Sequence, residues 1–251
     1  MDELARTPNL EQLMANEAIT KYGLAEQVYE TLLRKIVQRE LPSGTRFTLR
    51  DTAHSLKVSM TPVRDAMLRL QIEGFVAVGP RGWMIPDLTV ASVQEVFEAR
   101  EMIEVFTASQ ATRRASDAEI GQLARTIPEM EATFAAETCT DPSHYWELNS
   151  RLHQSIVQLA HNQRLTVLYD QLHVFALLRR LRALPDGGVG SVDCQEHRAI
   201  VAALRARDAE LVENVLRAHL RGAHAALIQR MTDTTAISDF TVDFQSHGTK
   251  G

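Results

Sequence analysis

The stretch Leu49 to Leu70 reads as a helix, a tight turn and a second helix, with a short hairpin behind it, and few folds accept that order. Leu49, Ala53 and Leu56 share one helical face, Lys57 and Val58 make the turn, and Val63, Ala66, Met67 and Leu70 restart the period at i, i+3, i+4, i+7. Ser59 stands where the second helix needs an N-cap, and Pro62 falls in the first turn, where a missing N–H is tolerated. Upstream, Leu24 to Gln38 has helical period with Ala25, Val28, Leu32 and Ile36 inward. Downstream, Phe75 to Val78 and Trp83 to Ile85 can pair around Gly79-Pro80-Arg81-Gly82, Gly82 supplying the backbone angles of a tight hairpin. This is the pattern of a winged helix-turn-helix. Its second helix presents an N-terminal end to the major groove, where hydroxyls and Arg reach phosphates and base edges. Arg50, Ser59, Met60, Thr61, Arg64, Arg81 and Gly82 are therefore the candidate DNA-contacting residues, the last two through a wing that approaches the minor groove.

Charge is distributed accordingly. From Lys21 to Pro86 ten basic residues stand against six acidic ones, a local excess of +4 in a chain whose net charge is −5, which leaves −9 elsewhere. A basic module joined to an acidic one fits a first part that meets phosphate and a second part with another task. At 251 residues and 45% hydrophobic content the chain can fill two modest cores. No apolar run approaches the roughly 18 residues of a membrane span, and Met1-Asp2-Glu3 does not open a signal peptide, so a cytoplasmic protein without membrane contact is expected. Cys139 and Cys194 form no CxxC pair and read as ordinary thiols.

Pro86-Asp87 punctuates the chain. Beyond it every long segment has helical period and none reads as a strand; helices are expected at about 90 to 114, 117 to 137, 141 to 161, 163 to 183, 191 to 206 and 208 to 230. Thr89 or Ser92, Ser116-Asp117, Asp141-Pro142, Ser191 and Asp208 mark starts, and Pro185-Asp186-Gly187-Gly188 separates the fourth helix from the fifth. Short connections make these an antiparallel six-helix bundle, so the fold class is mainly α. Within the bundle Asn149 and His153 lie four apart on one face, while His197 and His219 sit mid-way along two later helices. Three imidazoles and an oxygen ligand could hold a divalent metal; on spacing alone, ordinary core or surface histidines compete with that reading. Arg100 lies among Val96, Ile103 and Phe106, either as a cation facing a pocket or in a surface ion pair with Glu98, Glu101 or Glu104. Arg179, Arg180 and Arg182 on the fourth bundle helix could add to such a pocket. No phosphate-binding Gly-rich loop, Ser-His-Asp order or HExxH stretch is present, so no catalytic residues are assigned.

The run from Leu49 through Thr61-Pro62-Val63-Arg64 to Glu73-Gly74, with the Leu41-Pro42-Ser43-Gly44-Thr45 turn before it and the wing after it, resembles the DNA-binding domain of GntR-family transcription regulators. Met60 departs from that pattern, which often has Arg there. From about Ser92 to Leu227 the chain resembles the FCD effector-binding domain of the FadR subfamily, through Val96-Phe97-Glu98-Ala99-Arg100, Asn149-x3-His153, Glu196-His197-Arg198-Ala199-Ile200 and Ala218-His219-Leu220. The resemblance implies the six-helix, VanR-like group. It also implies a metal held by Asn149, His153, His197 and His219, zinc first with nickel or manganese as alternatives, and a small carboxylate effector gripped by Arg100.

Four regions are then expected: a flexible arm over 1–20, the winged helix over 21–86, an FCD-like effector and dimerisation domain over 90–231, and a loose tail over 232–251. The expected protein is no enzyme but a ligand-responsive regulator, a repressor that binds a palindromic operator in double-stranded DNA as a homodimer. Two other readings stay open: a metal-dependent hydrolase fused to a DNA-binding module, and a structural-metal dimerisation scaffold without effector response.

Overall fold

The computed structural model describes residues 23–80, 82–135, 138–181 and 191–243, and these form two compact units. The first spans the chain up to Thr89 and takes in Ala176–Ala183; the second holds Val90–Phe175 and the chain from Leu184. The N-terminal arm, Arg81, Arg182, the Pro185 to Gly188 break and the chain beyond Asp243 lie outside the described residues.

In the first unit, α1 (Leu24–Val37) buries Val28, Leu32 and Ile36. Next come β1 (Arg46–Phe47), α2 (Leu49–Leu56) and α3 (Met60–Ile72). Thr48 caps α2 by accepting a hydrogen bond from the Asp51 N–H at 3.1 Å, and Lys57 ends it in the left-handed region at φ 56. Val63, Ala66, Met67 and Leu70 are all buried, as the period requires. Ser59 occupies the N-cap position of α3 but makes no side-chain cap bond. At the other end Gly74 takes φ 81, and the N–H groups of Gly74 and Phe75 bond the carbonyls of Gln71 and Leu70, a Schellman closure that turns the chain into the wing.

The wing strands are β2 (Ala77–Gly79) and β3 (Gly82–Met84). β2 begins two residues later than the pattern indicates, because Phe75 and Val76 are drawn into the core, and β3 begins and ends one residue earlier, with Ile85 buried beyond it. A third strand, unread in the sequence, completes an antiparallel sheet of order β1-β3-β2, with Phe47 opposite Trp83 and Gly79 opposite Gly82. Gly82 has φ +121, and a Cβ there would collide with the Phe47 carbonyl oxygen. Gly82→Ala should therefore lower the urea midpoint by the equivalent of about 2 kcal/mol or more. An unchanged midpoint would show that β1 and β3 can separate at no cost. Two contacts tie α3 to α1: Tyr29 Oη donates to Glu73 at 2.5 Å, and Arg69 pairs with Glu26 at 2.7 Å while lying over the Tyr29 ring. Trp83 Nε1 donates to Gln71 at 2.9 Å and ties α3 to the wing.

In the second unit the elements are α4 (Val90–Arg114), α5 (Asp117–Ala124), α6 (Thr126–Glu131), β4 (Phe134–Ala135), β5 (Thr138–Cys139), α7 (Pro142–Gln158) and α8 (Gln163–Asp170). Then follow α9 (Val174–Leu181), whose residues from Ala176 group with the first unit, α10 (Ser191–Arg205) and α11 (Ala209–Asp243). The core gathers Ala108, Met130, Tyr145, Leu148, Leu152, Ile200 and Leu216 from five of these helices.

Three expectations are corrected. The single helix over 117–137 is two short helices and a hairpin. Pro128 has no N–H for the Ala124 carbonyl, and the Thr133 hydroxyl bonds the Met130 carbonyl at 2.6 Å while its carbonyl accepts the Thr140 N–H at 2.8 Å. The helix over 163–183 breaks at His173, which adopts φ 48. The loose tail from 232 is instead helix as far as Asp243; Thr232 Oγ1 bonds the Ile228 carbonyl and Gln229 donates to Asp233, so these polar residues are satisfied within the helix. None of the described helices is long and apolar enough to cross a membrane.

Candidate metal and effector site

Helix α7 starts at Asp141, whose side chain caps the His144 N–H at 3.1 Å, with Pro142 in the first turn. Tyr145, Leu148, Leu152 and Ile156 commit one broad face of it to the core, and Asn149 and His153 are buried with them. His197 on α10 and His219 on α11 are also buried. The three imidazoles meet: one nitrogen from each lies within 4.8 Å of the others. The His153 and His219 rings stack at 5.2 Å, and His197 lies 4.5 Å from His219 between centroids.

Their outer nitrogens are held differently. His153 Nδ1 lies 2.6 Å from Glu104 Oε2, and His219 Nδ1 lies 2.7 Å from Glu196 Oε2. A carboxylate at Nδ1 keeps the proton there and leaves Nε2 with its lone pair, the arrangement found behind metal-binding histidines. His197 Nδ1 is buried without a hydrogen-bond partner among the described residues. The His153 and His197 Nε2 atoms stand 3.3 Å apart. Two nitrogens on one tetrahedral ion, each at roughly 2.0–2.1 Å, would be about 3.3–3.4 Å apart, so the donor pair fits a small divalent cation. Protonation is also suited: burial pushes His153 down to about 4, against the pull of Glu104, and burial with the neighbouring His219 and His153 rings holds His197 well below the usual imidazole range. Neutral imidazoles are what a metal needs.

Arg100 makes the ion pair with Glu104 that its sequence context allows. It is buried rather than on the surface, and its Nε is ion-paired with Glu104 one turn on, its guanidinium 5.4 Å from the Phe97 ring. Glu104 is the hub. Its Oε1 also accepts from Tyr169 Oη at 2.8 Å, and its Oε2 faces His153. Burial would raise this carboxyl, but the Arg100 charge and the His153 ring outweigh burial and hold it well below the usual carboxylate range. Glu104 and Tyr169 were not read as site residues. The available signal was an Arg and a Glu spaced i, i+4 on the buried side of α4. Arg179 and Arg180 group with the first unit, Arg179 over the Phe75 ring at 6.0 Å and Arg180 against Ser43 and Pro86.

In the winged helix, Arg50, Ser59, Met60, Thr61 and Arg64 are exposed, Met60 at 51%. All but Arg50 stand at the N-terminal end of α3. Arg69, further along, is engaged by Glu26 and Glu73.

Residues 24–83 match the family described as bacterial regulatory proteins, gntR family, and residues 95–222 match the FCD domain. The HTH-type transcriptional repressor RspR of Escherichia coli (strain K12) is 26% identical over 200 residues, covering 78% of this chain and 85% of RspR. The HTH-type transcriptional regulator YdhC of Bacillus subtilis (strain 168) is 27% identical over 196 residues, covering 77% of this chain and 86% of YdhC. Among solved structures, E. coli McbR/YncC shares the fold with a TM-score of 0.62 at 20% identity, covering 83% of this chain and 98% of that one.

Proposed function

The chain belongs to the GntR family of bacterial regulatory proteins, as a transcriptional regulator whose winged helix is followed by an FCD domain, and on that footing we propose a homodimeric, acid-responsive repressor. In this reading two winged helices bind the halves of a palindromic operator, with α3 in the major groove and the wing beside the minor groove. Arg50, Ser59, Met60, Thr61 and Arg64 make the contacts, joined by Arg81 and Gly82 on the wing. Asn149, His153, His197 and His219 would hold a divalent ion, zinc first, with nickel or manganese as alternatives. Such an ion supplies a Lewis-acidic point for a carboxylate oxygen.

The observation that carries the reading is the convergence of three buried imidazoles, two of them backed by carboxylates. It also weighs against the hydrolase alternative: Glu104, the carboxylate facing His153, is already engaged by Arg100 and Tyr169 and has no freedom to act as a general base. Arg100 enters the effector site through Glu104. A carboxylate ligand that competed for this guanidinium would loosen the Glu104 hub and bias the positions of α4, α7 and α8.

The test is operator affinity at fixed salt, by fluorescence anisotropy, with an operator selected from random DNA by the wild-type protein. Arg64→Ala is expected to weaken binding by about 5- to 150-fold, the worth of a base or phosphate contact of roughly 1–3 kcal/mol. A panel of small carboxylic acids should include one that changes affinity in the metal-loaded protein and not after chelation. An effector acts only through unequal affinity for the two states, so if no acid changes operator affinity in the loaded protein, the acid-responsive reading is excluded. If chelation lowers the melting temperature and leaves an acid response intact, the metal is structural.

A further inference from the structure

A second polar site is formed by residues of the first unit. A cavity of about 290 Å³ is walled by Ile36, Leu41 and Leu88 and carries the side chains of Arg39, Ser43 and Arg180. Arg180 is only 7% exposed. Its Nη2 donates to Ser43 Oγ at 3.1 Å and to the Pro86 carbonyl at 2.7 Å, both neutral acceptors. Among the described residues it makes no ion pair.

That is unlike the way this protein treats its other deeply buried cations. Lys35, 5% exposed, reaches Glu40 at 2.9 Å, and Arg100 meets Glu104. A buried guanidinium without a counter-charge is costly, because desolvation is not offset by two neutral hydrogen bonds. The surroundings add to the cost. Burial lowers the proton affinity of Arg180, Arg39 lowers it further, and Asp87, which pulls the other way, is not within ion-pair distance. Arg39, held at φ 61 just past α1, brings a second positive charge to the same cavity. Two guanidinium groups converging on one hollow repel each other unless an anion lies between them.

We propose that this cavity binds a small organic carboxylate, its charged end on Arg180, Arg39 and Ser43 and its apolar body against Ile36, Leu41 and Leu88. The volume is near the lower end of small-molecule pockets, which suits a short acid. The walls select among anions. Inorganic phosphate would satisfy the arginines but leave the apolar side unfilled, so an acid with a short hydrocarbon tail gains on both counts. Four stretches of the first unit meet at the site: the end of α1, the turn at 41–45, the segment after β3, and α9. A bound anion would tie them together. This inference does not depend on the histidine cluster.

The experiment uses the full chain, with sodium butyrate and inorganic phosphate as probes against sodium chloride at equal ionic strength. Butyrate is expected to raise the melting temperature of the wild type, and calorimetry should show it binding at least about tenfold more weakly to Arg180→Gln. His153→Ala should keep the full butyrate effect, which separates this cavity from the bundle site. Leu88→Glu places a carboxylate beside Arg180, so it should melt higher than wild type without ligand and show no butyrate shift; it serves as the test if Arg180→Gln does not fold. Unchanged butyrate affinity in Arg180→Gln, loss of the effect in His153→Ala, absence of any butyrate effect, or phosphate binding at least as tightly as butyrate would each overturn the proposal.

Discussion

Glu104→Ala is expected to cost about 3–5 kcal/mol of stability, which for a domain of this size is a fall in melting temperature of roughly 10 °C. The substitution removes one carboxylate and strands three groups at once. Arg100 is left as a buried cation without a counter-charge, Tyr169 Oη loses its acceptor, and His153 Nδ1 loses the oxygen 2.6 Å away. Glu104→Gln should fall between wild type and Ala, because an amide keeps an acceptor for Tyr169 but not the charge that balances Arg100. Thermal and urea denaturation followed by circular dichroism would measure both. A loss below about 1 kcal/mol for Ala would mean that water enters to solvate Arg100, and that this face of α4 is not dry.

The second large effect is on metal retention. Elemental analysis of the purified wild type should give near-stoichiometric divalent metal, and the His153→Ala, His197→Ala double variant should lose it, with affinity lowered by more than about a hundredfold. Removing these two ligands leaves His219 and Asn149, too few for a stable closed site. Substituting Glu196 by Gln, which touches only the outer nitrogen of His219, should cost less, about tenfold or somewhat more. No metal in the wild type, even after reconstitution with zinc, manganese and nickel, would remove the metal from the proposal while leaving the winged helix and its family untouched.

How much of this is legible in the sequence depends on how local each feature is. Helices α2 and α3 follow from the apolar period of Leu49 to Leu70, because a helix that packs one face against a core writes that face at fixed spacing. The hairpin of β4 and β5 does not, since a pair of two-residue strands has no period to read, and the competing signal is the Thr133 side chain turning back on Met130. The histidines are a different case. Asn149 and His153 advertise a shared face, but His197 and His219 come from distant helices, and only resemblance to a family joined them before the structure did. Glu104 was less visible still. Its partners His153 and Tyr169 lie 49 and 65 residues away, so nothing local says that an acid next to an Arg is buried rather than solvated. Arg180 shows the same limit from the other side. Its helix continues the chain of the second unit, and only the contacts with Ser43 and Pro86 reveal that it belongs with the first.

The ties of α3 to its neighbours on both sides bear on how this lineage can acquire new targets. Tyr29 and Glu26 hold the helix from α1, and Trp83 holds it from the wing, so the reading head is one block. A change of operator by rolling or tilting α3 would require several of these ties to be replaced together. Exchange at Ser59, Met60, Thr61 or Arg64 disturbs none of those ties. If these residues read the operator as proposed, binding specificity can change through four exposed positions, Met60 among them, without loosening the helix.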